Sequence, residues 1–369
     1  MSLLAMEQRD GKALARYFRQ TAGPIPPNEF GSKSWFQVSV ARYWQSTREQ
    51  TQLALDNLLE VYKNSESWLA PVVGVFLSKL RQLSASDPNH LQICKTYLDS
   101  VFRFITITAK QQPLRQVQEH DSPLCLFIVV EQMKVYSALK QETAIRSLIS
   151  KVVEQNNFPP LHLASLPTRV AYQYYVGRSL VLEDNAGEAV GPLEFALQHS
   201  PPFSKQRDLV LAYLVPAQLA LGRCPKLDNN DSSFLGRLAR HVASGNVDGV
   251  DQELELHLPV LCRFGTLPMF ARCRLLCYRN LVKHALTIHR DTCAASEVNK
   301  FPIDSLLVPL VSKLDRQARG VNVLDYTLCV LANLIYVGLV KGYLSYEKLV
   351  LVVSNKDAFP KTTSFKNWS

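Results

Sequence analysis

The helical period of the apolar residues is the feature that most limits the fold. It runs through most of the chain and is cut into short lengths by proline and glycine. Leu53, Leu55, Leu58, Leu59 and Tyr62 recur at helical spacing. Pro24, Pro26 and Pro27 separate the first helix from the second, and Asp87-Pro88-Asn89 marks a further turn. Leu91 to Thr108 and Pro123 to Leu139 read as helices, the former weakened at its end by Thr106, Ile107 and Thr108, whose β-branched side chains lose rotamer freedom in a helix.

The middle of the chain contains a repeat unit of tetratricopeptide-like pattern. Arg169 to Glu183 reads as a helix, Asp184 to Gly187 as a turn and Glu188 to His199 as a second helix, closed by Pro201. Gly177, Ala189 and Ala196 are small residues where two antiparallel helices must approach closely, although Gln173 and Leu180 replace the tryptophan and tyrosine of that pattern. Gln206 to Leu221 follows, with Gly222 as its left-handed cap. Phe234 to Ala243 and Val250 to Phe264 form another pair about a Gly245-Asn246 turn, followed by a long helix from Leu267 to His289. Successive helix pairs predict a mainly α fold, a right-handed α-solenoid of tetratricopeptide-like hairpins.

Near the C-terminus the pattern changes. Ile303 to Leu314 is amphipathic. Val323 to Val340 is apolar on most sides and is expected to be buried. Tyr346-Glu347-Lys348 reads as a turn, and the short β-branched run Leu349 to Val353 as a strand. Two helices and a small β-hairpin outline a winged helix whose wing is Gly342 to Ser354. The expected organisation is helical repeats over 1–160, tetratricopeptide-like repeats over 161–300, a winged helix over 301–356 and a tail over 357–369, with Phe359-Pro360 as its docking point.

Charge is concentrated at the same end. The chain carries +9 overall. Residues 268–369 hold 14 Lys and Arg against 7 Asp and Glu, a net +7, which leaves +2 for the preceding 267 residues. Such a basic end suits a polyanion, or is simply a solvated surface. Lys313, Arg316, Arg319, Lys341, Lys348 and Lys356 are the candidate nucleic-acid contacts, because lysine and arginine around a wing reach phosphates without reading bases.

Other chemistries find little support. No apolar run reaches the length of a membrane span, and Glu7, Arg9 and Asp10 follow the first residues too closely for a secretory leader. The eight cysteines form no C-x-x-C pair and are expected to be buried free thiols rather than metal ligands. Phosphate-cradling and nucleophile motifs are missing, so no catalytic residue, cofactor or metal is assigned. Glu119-His120-Asp121 reads as a surface loop, Asp228 to Asp231 as a polar turn before Phe234, and His284 and His289, five apart, as satisfied or exposed histidines.

Two segments carry a family resemblance. Arg169 to Arg178 is one; Leu331 to Tyr343, continued by Val352-Val353-Ser354 and Phe359-Pro360, is the other. They resemble the PCI-domain family, in particular its subunits in transcription-and-export complex 2, with the COP9 signalosome twelfth-subunit-like proteins as close relatives. Weaker likeness runs through Tyr213 to Pro216 and Tyr278 to Leu281. The first part of the chain matches only in helical character, and its start is short for the family, which implies a missing N-terminal helix. The resemblance implies a non-enzymatic nuclear scaffold subunit, associated with the nuclear pore in messenger-RNA export. It implies a GANP-type PCI scaffold and a small acidic DSS-type peptide as partners, with RNA or DNA on paired winged helices and no membrane. Two alternatives stay open: a PCI subunit of a signalosome-like, splicing-linked or proteasome-lid-like assembly that binds only proteins, and an enzyme whose site leaves no motif.

Overall fold

Helices form where the periodic segments predict them, and polar caps with left-handed glycines set their ends. The computed structural model describes residues 8–20, 47–63, 67–111, 122–154, 160–223, 233–292, 298–307 and 322–360. It divides into two compact units, 1–179 and 180–369.

The first unit contains α1 (Gly11–Gln20), α2 (Arg48–Lys63), a short 3-10 turn (Ser67–Leu69), α3 (Ala70–Ser84), α4 (Pro88–Gln111), α5 (Ser122–Ala138) and α6 (Glu142–Glu154). The start of α7 (Leu166–Leu182) completes it. Pro88 opens α4 as a first-turn proline, where its missing N–H costs nothing, and the Thr106–Thr108 stretch does not stop the helix before Gln111. Every residue from Val72 to Leu77 is buried, because α3 packs against α1, α2, α4 and α5. Phe18 of α1 meets Phe76 of α3 edge to face at 5.4 Å. One side of α5 (Leu124, Cys125, Ile128) joins this core, and its other side (Val129, Met133, Tyr136) joins a second core with Ile145, Leu148 and Tyr172. An all-round apolar helix is the expected solution for that position.

A charge sits inside it. Glu131 of α5 is fully buried; its Oε2 accepts from Arg81 Nε at 2.6 Å and its Oε1 from Lys134 Nζ at 2.7 Å. The Arg81 contact ties α3 to α5. Asp99 of α4 makes the next tie, accepting from Gln132 Nε2 at 2.8 Å and Tyr136 Oη at 2.6 Å.

In the second unit come α8 (Ala186–Gln198), α9 (Lys205–Ala220), α10 (Phe234–Ser244), α11 (Val247–Leu256), α12 (Leu258–Phe264) and α13 (Leu267–Thr292). Strand β1 (Lys300–Pro302), helix α14 (Val323–Tyr336) and strands β2 (Gly342–Ser345) and β3 (Val350–Val353) follow. Asn185, Ser204, Ser233, Asn246 and Asn322 cap the helices after them with side-chain oxygens, each satisfying a free first-turn N–H. The single helix expected over Val250–Phe264 is two, meeting at His257, with Pro259 in the first turn of the second, where its missing N–H costs nothing. Gly245 takes φ +74°, and a Cβ there would lie 2.7 Å from the Leu281 amide nitrogen, so α10 can turn against α13 only at a glycine. The helix expected to reach Val340 stops at Tyr336, two residues before Gly338 with φ +82°.

The expected burial of that helix needs correction. Thr327, Leu331 and Leu334 are buried in α14, whereas Cys329, Ala332, Asn333 and Tyr336 are exposed. Its apolar composition conceals a one-sided helix. The cysteines differ from expectation in the same way: Cys94, Cys125, Cys273 and Cys277 are buried, but Cys262 and Cys329 are exposed.

Removing the buried carboxylate should uncouple α3 from α5. Glu131→Ala is expected to destabilise the protein by about 3 kcal/mol, near the lower figure for breaking a buried pair because Arg81 keeps some solvent access. Urea denaturation of the variant beside the parent measures it.

Candidate nucleic-acid interface

The wing is a three-stranded antiparallel sheet with β3 in the centre and β1 and β2 on its flanks. The hairpin was expected; β1 was not. Side chains alternate across a sheet, so the register decides what faces outward. Phe301, Leu351 and Leu344 align across the three strands and point into the core of the second unit, where Phe301 and Leu351 are fully buried. The adjoining row is Lys300, Val352 and Tyr343, and it must point the other way. Lys300 is exposed, and Tyr343 is 62% exposed. Gly342 permits the close pairing of β2, since a Cβ there would stand 2.2 Å from the Val352 carbonyl oxygen.

Helix α13 positions β1. The Nε2 atom of His289 lies 3.1 Å from the Lys300 carbonyl oxygen, and the ring meets Phe301 edge on at 5.0 Å. Arg290 reaches the Val298 carbonyl and the Asn299 side chain. His289 therefore holds a strand in place. The Tyr278 and Tyr326 hydroxyls, 2.7 Å apart, link α13 to α14.

The sequence-derived candidates divide. Lys348 lies exposed in the 346–349 turn, and Lys356 is exposed just beyond β3; neither makes an ion pair among the described residues. Lys341 is engaged, its Nζ 3.0 Å from Asp357 Oδ2, so part of its charge is already answered. Lys313, Arg316 and Arg319 lie outside the described residues, as does most of the helix expected over Ile303–Leu314. The tail docks at Phe359-Pro360 as expected: Arg279 donates to both carbonyls, at 3.3 and 3.1 Å, and covers the Phe359 ring. Residues 361–369 lie outside the described residues.

Sequence reasoning missed two parts of this surface. One is Lys300, on a strand too short to show a period. The other is a set of exposed aromatics, Tyr336 (91%), Tyr343 and Tyr346 (71%), spread over α14 and the wing. Tyrosine interleaved with lysine at the Tyr343–Lys348 turn was the available signal. Lysines can neutralise phosphates, and exposed rings can stack on bases.

Burial pushes the Cys273 thiol well above its ordinary pKa and leaves it a poor nucleophile. Among the described residues no group of three or more His, Cys, Asp or Glu could hold a metal ion, and no helix is long and apolar enough to cross a membrane. Glu119-His120-Asp121 and Asp228 to Asp231 lie outside the described residues.

No family model matches the chain. Curated relatives do. It is 28% identical to the PCI domain-containing protein 2 homolog of Drosophila melanogaster over 84% of this chain and 77% of that one. It is 29% identical to PCI domain-containing protein 2 of Danio rerio over 89% and 82%. These relatives support a PCI-domain family for the chain. A Protein CSN12 homolog of Gibberella zeae is 28% identical over 92% of this chain and 80% of its own. The mainly helical fold with a small terminal sheet agrees with that family, and the relatives support a PCI scaffold subunit. PCI-domain proteins are generally non-catalytic scaffold subunits.

The outward row depends on the inward one. Phe301→Ala is expected to cost about 3–5 kcal/mol through the cavity it leaves. Calorimetry of the variant should show the loss, and amide exchange should report faster opening of β1 and β3.

Proposed function

We propose that the chain is a non-enzymatic PCI scaffold subunit of a nuclear messenger-RNA-export, transcription-coupled complex. It binds protein partners along its helices and nucleic acid on its basic wing. The observation that carries the reading is the outward face of the sheet, where Lys300 and Tyr343 stand in one cross-strand row with Lys348 and Lys356 close by in sequence, all exposed. Such a surface suits phosphate contact with base stacking and offers no sequence-specific readout. A GANP-type scaffold and a small acidic DSS-type peptide are the partners that fit the reading.

A second reading has its own support. The CSN12 homolog covers more of this chain than the other two relatives described, and the Lys341–Asp357 pair lowers the free charge of the wing. On that reading the chain is a subunit of a signalosome-like assembly and the wing meets protein only.

The test is a salt titration of single-stranded RNA binding by the reconstituted complex. If Lys300, Lys348 and Lys356 each meet one phosphate, log K against log salt carries a contribution of about −2 from them, at about −0.7 per phosphate. Lys300→Glu, Lys348→Glu and Lys356→Glu combined should remove that contribution and weaken all sequences alike. Tyr343→Ala should weaken single strands by about 1–3 kcal/mol and duplex DNA much less. Unchanged RNA binding by the triple variant, with signalosome subunits co-purifying, would instead favour the second reading.

A further inference from the structure

A second charged surface, independent of the wing, lies in the first unit. A cavity of about 1060 Å³ opens between α1, the 67–69 turn and its neighbours α3, α5 and α7. Arg9, Lys12, Arg16 and Arg19 all line it. Lys12, Arg16 and Arg19, spaced by four and three residues, stand in one row along α1, about 10 Å long at 1.5 Å per residue, and Arg9 lies in the turn just before the helix. The opposite face of α1 is spent on the core, with Leu14 and Phe18 buried. All four cations are exposed, and none makes an ion pair among the described residues.

The lining has one carboxylate, Asp10, and its Oδ1 is occupied capping α1, accepting from the Lys12 and Ala13 amides at 3.0 Å each. Four cations and one carboxylate leave the lining at +3. Like charges at these spacings repel within a helix, so the row is a cost to α1 until an anion answers it.

Below the row the surface is apolar. Phe127 and Leu124 of α5 and Pro71 of α3 contribute to it, and Gly74 leaves the Phe127 ring accessible from α3. Trp68 borders the same cavity, and its buried indole N–H has no hydrogen-bond partner, an unspent donor. Gly11 keeps the wall close: a Cβ there would fall 1.7 Å from the Trp68 carbonyl oxygen.

We propose that this groove docks an acidic amphipathic helix of a partner protein. Its carboxylates would repeat at three- and four-residue spacing opposite Arg9, Lys12, Arg16 and Arg19, and its apolar edge would lie on Phe127 and Leu124. A cationic rim over an apolar floor is complementary to that chemistry on both counts. A nucleic-acid strand would use the rim and leave the floor unmatched, because its charged backbone needs an open track.

The test uses the full chain and a synthetic peptide of about 14 residues, roughly four turns, with Glu at helical spacing and Leu on the adjoining edge. Controls are the same residues in scrambled order and a single-stranded oligouridylate of equal charge. Titration calorimetry should give binding to the patterned peptide at least about tenfold tighter than to the scrambled one, weakening with salt. Lys12→Glu with Arg16→Glu should cost at least about tenfold while leaving the helical circular dichroism unchanged, since both side chains are exposed. Gly74→Leu, which fills the floor without touching a charge, should weaken the peptide as well; an intact melting transition shows that the variant folds. Equal affinity for patterned and scrambled peptides, or indifference to the double charge reversal, overturns the proposal. So does an oligouridylate that binds more tightly than the peptide and loses affinity in the same variant. The Lys300, Lys348 and Lys356 substitutions leave peptide affinity unchanged, which keeps this result separate from that of the wing.

Discussion

The alternation of side chains across β3 is the constraint on which the candidate interface rests. A strand that buries Leu351 and Val353 has to present Val350 and Val352 outward, and its partners inherit the same parity. Phe301 inward means Lys300 outward; Leu344 inward means Tyr343 outward. A slip of one residue would bury a lysine and expose a phenylalanine, a change too costly to be populated. The orientation of the charged and aromatic groups is therefore set by core packing, with no specific polar contact needed to aim them. His289 and Arg290 reinforce this from α13 by holding the backbone of residues 298–300.

The first unit solves a different problem. Helix α5 lies between two apolar clusters and has no solvent face to spare, yet it carries Glu131. Burying that carboxylate is tolerable because Arg81 and Lys134 both reach it. The Arg81 contact ties α3 to α5 at that point. The packing of α3 and α5 in turn places Gly74 against Phe127, on the floor of the groove beside α1.

Most helices were legible in the sequence because period, proline and glycine act locally. Gly222 and Gly245 mark helix ends at the positions where φ turns positive, and the Tyr346–Lys348 turn lies between the two strands read as a hairpin. The misreadings were of longer range. Pro259 was passed over because the residues on both sides of it are good helix formers. Helix α14 was judged by its apolar content, and only tertiary contact reveals that one side of it is unpartnered at Cys329 and Tyr336. Strand β1 has three residues and exists because β3 is there to pair with it. At the interface, Lys348 and Lys356 were found by charge alone; the involvement of Lys341 with Asp357, and the position of Lys300, depend on contacts across 16 and about 50 residues of chain. The groove beside α1 was missed because its cations were counted within a nearly neutral body, and their alignment matters more than their number.

The central place of β3 has a consequence for how the protein is made. Its two neighbours come from both sides of α14 in the chain, so β1 leaves the ribosome about fifty residues before the strand it pairs with. Until then Phe301 has no Leu351 to align with, and the unit's core is open at that edge. Folding of the sheet is a late, non-local event, slower than the helical hairpins that precede it. A chain cut short before Val353 would keep its solenoid-forming helices and lose the wing, while showing an apolar edge that a finished chain conceals. Only the completed chain covers that edge.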